Sequence, residues 1–235
     1  MKRQIKVLIG IQARSTSKRF PGKVFEKLGN KMLLQHVIDN CLNPARHMNN
    51  VRDKSGISAE VALLIPKGDE IKARFKDCNI YEGSEDDVLE RYYNAAMASG
   101  SDYVVRVTGD CPLIPPPIIT KCINSCVRNK LDYVSNVIVK VYPDGFDCET
   151  FTFDALEKAH LTTKDKYDRE HVTPWIHRQN FKFGHLIPFS LADLNQKFSV
   201  DTEEDLLRVK ESWHKIDDAV DLATRRDGRV SIFRF

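Results

Sequence analysis

An α/β layered domain with a mostly parallel sheet is the fold class this sequence predicts, on three observations. Short β-favouring runs alternate with helical apolar patterns four times between residue 5 and about residue 128. The first run, Ile5–Ile11, ends directly in a polar loop, as a central parallel strand running into a βα loop does. With 235 residues and 42% hydrophobic content, the chain has enough material for a substantial core.

Each element has its own warrant. Ile5–Ile11 delivers the loop Gln12–Lys23, after which Leu34, Val37, Ile38, Cys41 and Leu42 repeat at helical spacing and predict a helix ended by Asn43-Pro44. Residues 43–59 read as a loop before the strand Val61–Ile65. A helix is expected around Glu70–Lys76, a strand near Asn79–Tyr81, and a helix near Asp86–Ala98 capped by Ser84 or Glu85. Asp102–Val107 is the fourth strand, and Ile118, Ile119, Cys122, Ile123, Cys126 and Val127 mark the helix after it. Beyond residue 130 the rhythm breaks into an α+β subregion, with strands at Asp132–Val141, Cys148–Phe153 and His185–Pro188 and a helix at Asp168–Arg178. Phe198-Ser199-Val200 leads to Asp201 and a helix opened by Thr202, with Asp205 placed as in a capping box and Leu206, Val209 and Trp213 on one face. Ser212–Phe235 is partly helical by pattern. A single domain, 1–235, is expected, divided into halves 1–130 and 131–213 with an unassigned tail at 214–235.

Composition excludes several classes. The 36 Lys and Arg against 33 Asp and Glu leave +3, interspersed along the chain, so nucleic acid is not favoured. No apolar run approaches the roughly 20 residues of a membrane span. The basic N-terminus runs into a strand and a charged loop rather than a signal-peptide core, so the cytoplasm is expected. Six cysteines without a C-x-x-C pair read as reduced, mostly buried thiols, and the histidines show no zinc spacing.

Two features carry chemistry. The loop Gln12–Lys23, Ala13 and Ser15 included, packs four cations, three hydroxyls and a Pro-Gly turn behind a buried strand, which suits a polyphosphate; a solvated basic loop is the plainer alternative. Asp110, in a Gly-Asp-Cys-Pro turn, and Asp201, at another strand end, are a carboxylate pair for Mg²⁺; the plainer reading is a turn support and a residue ahead of a helix cap.

The segments IQARSTSKRFPGK, EGSEDDVLERYYNAA, VRVTGDCPLI, YPDGFDCETF and REHVTPWI, in this order, resemble the cytidylyltransferases of the spore-coat polysaccharide type, relatives of the CMP-Kdo and CMP-sialate synthetases. The resemblance spans about residues 5–210. It implies a Rossmann-like nucleotide-diphospho-sugar transferase fold, GT-A-like, that moves CMP from CTP to a sugar or related acceptor and releases pyrophosphate, in surface polysaccharide or glycoconjugate synthesis. It implies that Arg14 and Lys23 grip the triphosphate with Arg19 beside them, and that Asp110 and Asp201 hold Mg²⁺. The nucleotide-side half is then 1–130, where Ser84, Asp87, Arg106 and Thr108 are further nucleotide candidates. The acceptor-side half holds Asp144, Asp147, Glu149, Arg169 and His171. A homodimer is plausible from the resemblance alone. Residues 43–59 are longer than the family's connection, and Thr108 stands where the sialate and Kdo relatives carry Gln. A glycosyltransferase using a finished nucleotide sugar is the alternative, although no D-x-D element lies at a strand end; an inactive nucleotide-binding module would lack the carboxylates and the loop lysine that are present here.

Overall fold

The computed structural model describes residues 3–50, 56–188, 196–212 and 229–234. β1 (Ile5–Gln12) is buried from Val7 to Ile11, with Val7, Ile9 and Ile11 turned to one core and Leu8 to the other. After the loop, a 3-10 turn at Lys23–Phe25 and a two-residue hairpin of β2 (Lys27–Leu28) and β3 (Lys31–Met32) lead into α1 (Leu33–Met48). Pro44 does not end that helix: it sits inside it. Pro44, Ala45 and Met48 extend the buried stripe of Leu34, Val37, Ile38 and Cys41, and that burial outweighs the hydrogen bond proline removes.

β4 (Ile57–Pro66) starts earlier than expected because Ile57 and Ala59 are already buried, so the expected loop at 43–59 shrinks from both ends; residues 51–55 lie outside the described residues. α2 (Ile71–Arg74), β5 (Asn79–Gly83), α3 (Val88–Ser99), β6 (Tyr103–Thr108) and α4 (Pro116–Arg128) follow the expected rhythm. The cap of α3 is Asp87, whose side chain accepts from the Glu90 N–H at 2.9 Å; Ser84 and Glu85 do not cap it.

The second half departs more. β7 is only Tyr133–Ser135, because the ladder ends at Asn136: after one backbone bond to Cys148 O at 3.3 Å, its carboxamide donates to Phe146 O and accepts from the Cys148 N–H, both at 2.8 Å. β8 (Glu149–Thr152) and α5 (Phe153–Thr162) come next. The expected helix at Asp168–Arg178 is two helices, α6 (Lys166–His171) and α7 (Pro174–His177), broken at Val172 (φ 72°) and at Thr173, which precedes proline. β9 (Lys182–Ile187) and α8 (Glu203–Ser212) follow; Thr202 Oγ1 accepts from the Asp205 N–H at 3.2 Å while Asp205 Oδ2 accepts from the Thr202 N–H at 3.2 Å, the capping-box exchange. Leu206 and Val209 are buried, whereas Trp213 and residues up to 228 lie outside the described residues. The tail contains a strand that the pattern did not show, β10 (Arg229–Arg234).

The sheet runs β5-β4-β1-β6-β8-β7-β9-β10. The first four strands are parallel, β8 is antiparallel to both neighbours, and β10 is antiparallel to β9. α1 and α4 cover one face and α3, α5 and α7 the other, as the layered α/β class requires. Strand order reverses between β1 and β6, where Gln12 pairs with Thr108, and a crevice at the carboxyl ends of such a pair is where open α/β sheets bind ligands.

Candidate active site

A cleft of about 970 Å³ opens at that reversal. It is lined by the loop after β1, the turn after β6, the start of α3, α6 and Asp201. The loop is folded by its own sequence. Gly22 takes a left-handed φ of 74° and its N–H donates to Ser15 O at 2.8 Å, which folds the Pro-Gly turn back and carries Lys23 into the protein. Gly109 lets the two loops meet, since a Cβ there would lie 2.9 Å from Ala13 Cβ and 3.1 Å from Gln12 O.

At the centre of the cleft two carboxylates share one cation. Lys23 Nζ donates to Asp110 Oδ2 at 2.9 Å, Asp201 Oδ1 at 3.2 Å and Val200 O at 2.7 Å. The Val200 N–H donates to Asp110 O at 2.9 Å, which ties the two carboxylate-bearing segments together. Arg19 adds a second cation to Asp201 at 2.8 Å, and Lys197 bridges Asp201 and Asp205. Burial pushes the Asp110 carboxyl up, but the Lys23 charge and hydrogen bond pull it further the other way, so it lies below the usual carboxylate range and is ionised. Among the described residues no cluster of three or more His, Cys, Asp or Glu forms a metal cage. The donor set is instead two carboxylates facing a basic loop, which fits a cation that completes its shell with phosphate oxygens and water.

Ala13, Arg14, Arg19, Lys23, Asp87, Thr108, Asp110, Arg169, His171 and Asp201 all line this cleft. Arg14 stands 3.9 Å from Glu85, whose carboxylate also accepts from Thr16 Oγ1 at 2.6 Å. Asp87 caps α3 with one oxygen and receives Arg169 on the other, at 2.9 Å from Nε and 2.5 Å from Nη2, so Arg169 is fixed across the cleft from the loop. His171 packs against the Tyr167 ring, with centroids 4.3 Å apart.

Other expected residues do not line it. The Ser15 N–H donates to Asp69 Oδ2 and orders the loop from behind, and Ser84 Oγ accepts from the Asp87 N–H. Arg106 and Glu149 pair beneath the cleft floor, with Tyr133 and Thr173 donating to the same carboxylate. Asp144 and Asp147 lie beside the segment that carries Asp201, where the Phe198 N–H donates to Asp144 O at 2.7 Å. Burial, with the Asp144 and Glu149 charges, pushes the Asp147 carboxyl up to about 6.

Arg91 escaped the sequence reading. It is 4% exposed, lines the cleft, and donates from Nη1 to Leu64 O at 3.1 Å. Its signal was an arginine inside the apolar stripe of Val88, Leu89, Tyr92 and Ala95. All six cysteines are free, as expected, and burial holds the Cys111 thiol far above its ordinary range, so no activated sulfur stands at the site.

A sequence model described as Cytidylyltransferase matches residues 8–51 and 66–219. The chain belongs to this family. Its reaction is CTP-dependent nucleotidyl transfer, as the resemblance implied. It is 26% identical over 223 residues to the spore coat polysaccharide biosynthesis protein SpsF of Bacillus subtilis, covering 92% of this chain and 90% of that one. It is 26% identical over 192 residues to an 8-amino-3,8-dideoxy-manno-octulosonate cytidylyltransferase of Shewanella sp., covering 76% and 67%. A cytidylyltransferase from Leptospira borgpetersenii shares the fold, with a TM-score of 0.71, 22% identity and coverage of 95% and 98%. The Rossmann-like nucleotide-diphospho-sugar transferase expectation is therefore met.

Proposed function

We propose that the cytidylyltransferase transfers CMP from CTP to a sugar or sugar-like acceptor for surface polysaccharide or glycoconjugate synthesis, with Mg²⁺ as its cation. The observation that carries this reading is the convergence of Asp110 and Asp201 on one cationic position at the mouth of the basic loop. Asp110 and Asp201 hold the metal, which when bound neutralises phosphate charge. Arg14, Arg19 and Lys23 grip the triphosphate and stabilise the leaving pyrophosphate, with Lys23 moving from the carboxylates to the phosphates as the nucleotide enters. An acceptor oxygen attacks the α-phosphorus in line, the bond to the bridging oxygen breaks, and positioning plus charge stabilisation does the work without a protein nucleophile.

The division of labour follows the halves of the chain: residues 1–130 hold the nucleotide and 131–213 present the acceptor. Lys166 and His171 offer donor groups on the wall opposite the loop, suited to an acceptor bearing a carboxylate or several hydroxyls, and Arg169, its guanidinium engaged by Asp87, His160 and Thr163, holds that wall in place and meets the acceptor only by exchanging one of these partners. Asp144 and Asp147 act from behind the Asp201 segment. The cytoplasm is the compartment that six unpaired thiols favour, and no described helix is long and apolar enough to cross a membrane. The test is pyrophosphate release from CTP over a panel of keto-acid sugars, neutral sugars and non-sugar alcohols: release with a sugar acceptor supports the reading, and release only with a non-sugar alcohol contradicts it.

A further inference from the structure

We infer that Gln12 reads the base, taking cytosine over uracil, and that the buried pair Arg106–Glu149 fixes which end of its amide faces the cleft; this rests on the nucleotide reading above. Gln12 ends β1 in register with Thr108 at the strand reversal, and it lines the cleft. Arg106, on the same face of the sheet as Thr108, donates from Nε to Gln12 Oε1 at 2.9 Å. A guanidinium has donors and no acceptor, so the amide atom against it is the oxygen. The NH₂ is the end left to the cleft, and among the described residues no acceptor engages it.

The lock is held from below. Arg106 also pairs with Glu149, its partner in the β6–β8 ladder. Glu149 is 2% exposed, and its Oε1 accepts from Tyr133 Oη at 2.6 Å and Thr173 Oγ1 at 2.7 Å. The break between α6 and α7 is what brings Thr173 there. Burial raises the Glu149 carboxyl, but the Arg106 charge and these hydrogen bonds outweigh it, so the carboxylate stays ionised and the guanidinium stays put. A flipped Gln12 amide would set NH₂ against guanidinium, donor to donor, in a part-buried place where an unmade hydrogen bond is costly.

A fixed donor discriminates between the pyrimidines. Cytosine presents acceptors at O2 and N3, whereas uracil carries a hydrogen on N3. An NH₂ group held towards N3 therefore completes a hydrogen bond with cytosine and meets a second donor in uracil. A glutamine free to turn over would satisfy either base. Thr108 is less suited to the task because its hydroxyl is engaged with Cys111 Sγ at 3.1 Å.

The experiment is calorimetric titration of CTP and of UTP into the intact protein, comparing wild type, Gln12→Glu and Arg106→Met. Wild type is expected to prefer CTP by about tenfold to a hundredfold. Gln12→Glu keeps the side-chain shape and the Arg106 contact but offers an oxygen to the base, so the CTP:UTP ratio falls to one or below whatever happens to absolute affinity. Arg106→Met frees the amide, and the ratio moves towards one. Because Arg106→Met also strands a buried carboxylate, Gln12→Glu decides the matter. An unchanged ratio in Gln12→Glu, or a wild type that binds both nucleotides equally, overturns the inference while leaving the nucleotide site in place; a wild type that binds neither overturns both.

Discussion

Lys23→Met isolates the claim that Asp110 and Asp201 form a cation site. The substitution keeps an apolar stem of similar length and removes the ammonium that lies 2.9 Å from one carboxylate and 3.2 Å from the other. Two oxygens that close to one point are about 6 Å apart or less, so at an effective dielectric near 20 their repulsion is at least about 3 kcal/mol before the neighbouring cations are counted. Arg19, 67% exposed and screened by water, and Lys197, at 3.3 Å, still neutralise part of Asp201 and reduce that figure. In chelator the variant should lose up to about 3 kcal/mol, or about 6–12 °C in Tm for a chain of this size. Saturating Mg²⁺ should return most of that loss, because the divalent ion occupies the position the ammonium left, and wild type should respond less. Thermal unfolding of both proteins, with chelator and with Mg²⁺, reads this directly. A variant as stable as wild type in chelator, or one indifferent to Mg²⁺, would refute the reasoning.

Two further substitutions test the framework around the site. Asp147 has a folded pKa of about 6 against 3.8, so its contribution is fully present below about pH 4 and is lost as pH rises through 6. Asp147→Asn, which cannot ionise, should match wild type at pH 4 and exceed it by up to about 3 kcal/mol at pH 7, measured by urea unfolding at both pH values; parallel stabilities would count against a buried charge there. Gly145 has φ 97°, and a Cβ there would lie 2.4 Å from Ser199 N and 2.6 Å from Phe198 C, both backbone atoms of the segment that presents Asp201. Gly145→Ala should cost about 1–3 kcal/mol and lower turnover by about a hundredfold through displacement of Asp201, with a native circular dichroism spectrum; unaltered turnover would show that this packing does not position the carboxylate.

The half of the cleft built by the ends of β1 and β6 is legible in sequence because its signals are local. A strand, a Pro-Gly turn and a Gly-Asp-Cys-Pro turn are each written in consecutive residues, and the parallel βα order fixes which ends meet. What was not legible depends on partners remote in sequence. Lys23, which reads as a triphosphate contact, reaches Val200 across 177 positions, so nothing near it in sequence shows that it bridges Asp110 and Asp201. Glu149 read as an acceptor contact from its motif, but β8 runs antiparallel beside β6 and sets it against Arg106 instead. Pro44 reads as a helix end, but burial of the residues beyond it outweighs that local rule and the helix continues. The break at Val172–Thr173 lies inside a helical pattern; Pro174 is its local cause, whereas the bond from Thr173 to Glu149 that it makes possible is a tertiary contact no local pattern shows.

The most direct test of the central claim is calorimetric binding of CTP to wild type and Asp110→Asn, with and without Mg²⁺. Mg²⁺ should strengthen CTP binding in wild type, and that strengthening should be lost in Asp110→Asn. Equal Mg²⁺ enhancement in both proteins would contradict the assignment of Asp110 to the metal, and with it the two-carboxylate site on which the transfer chemistry rests.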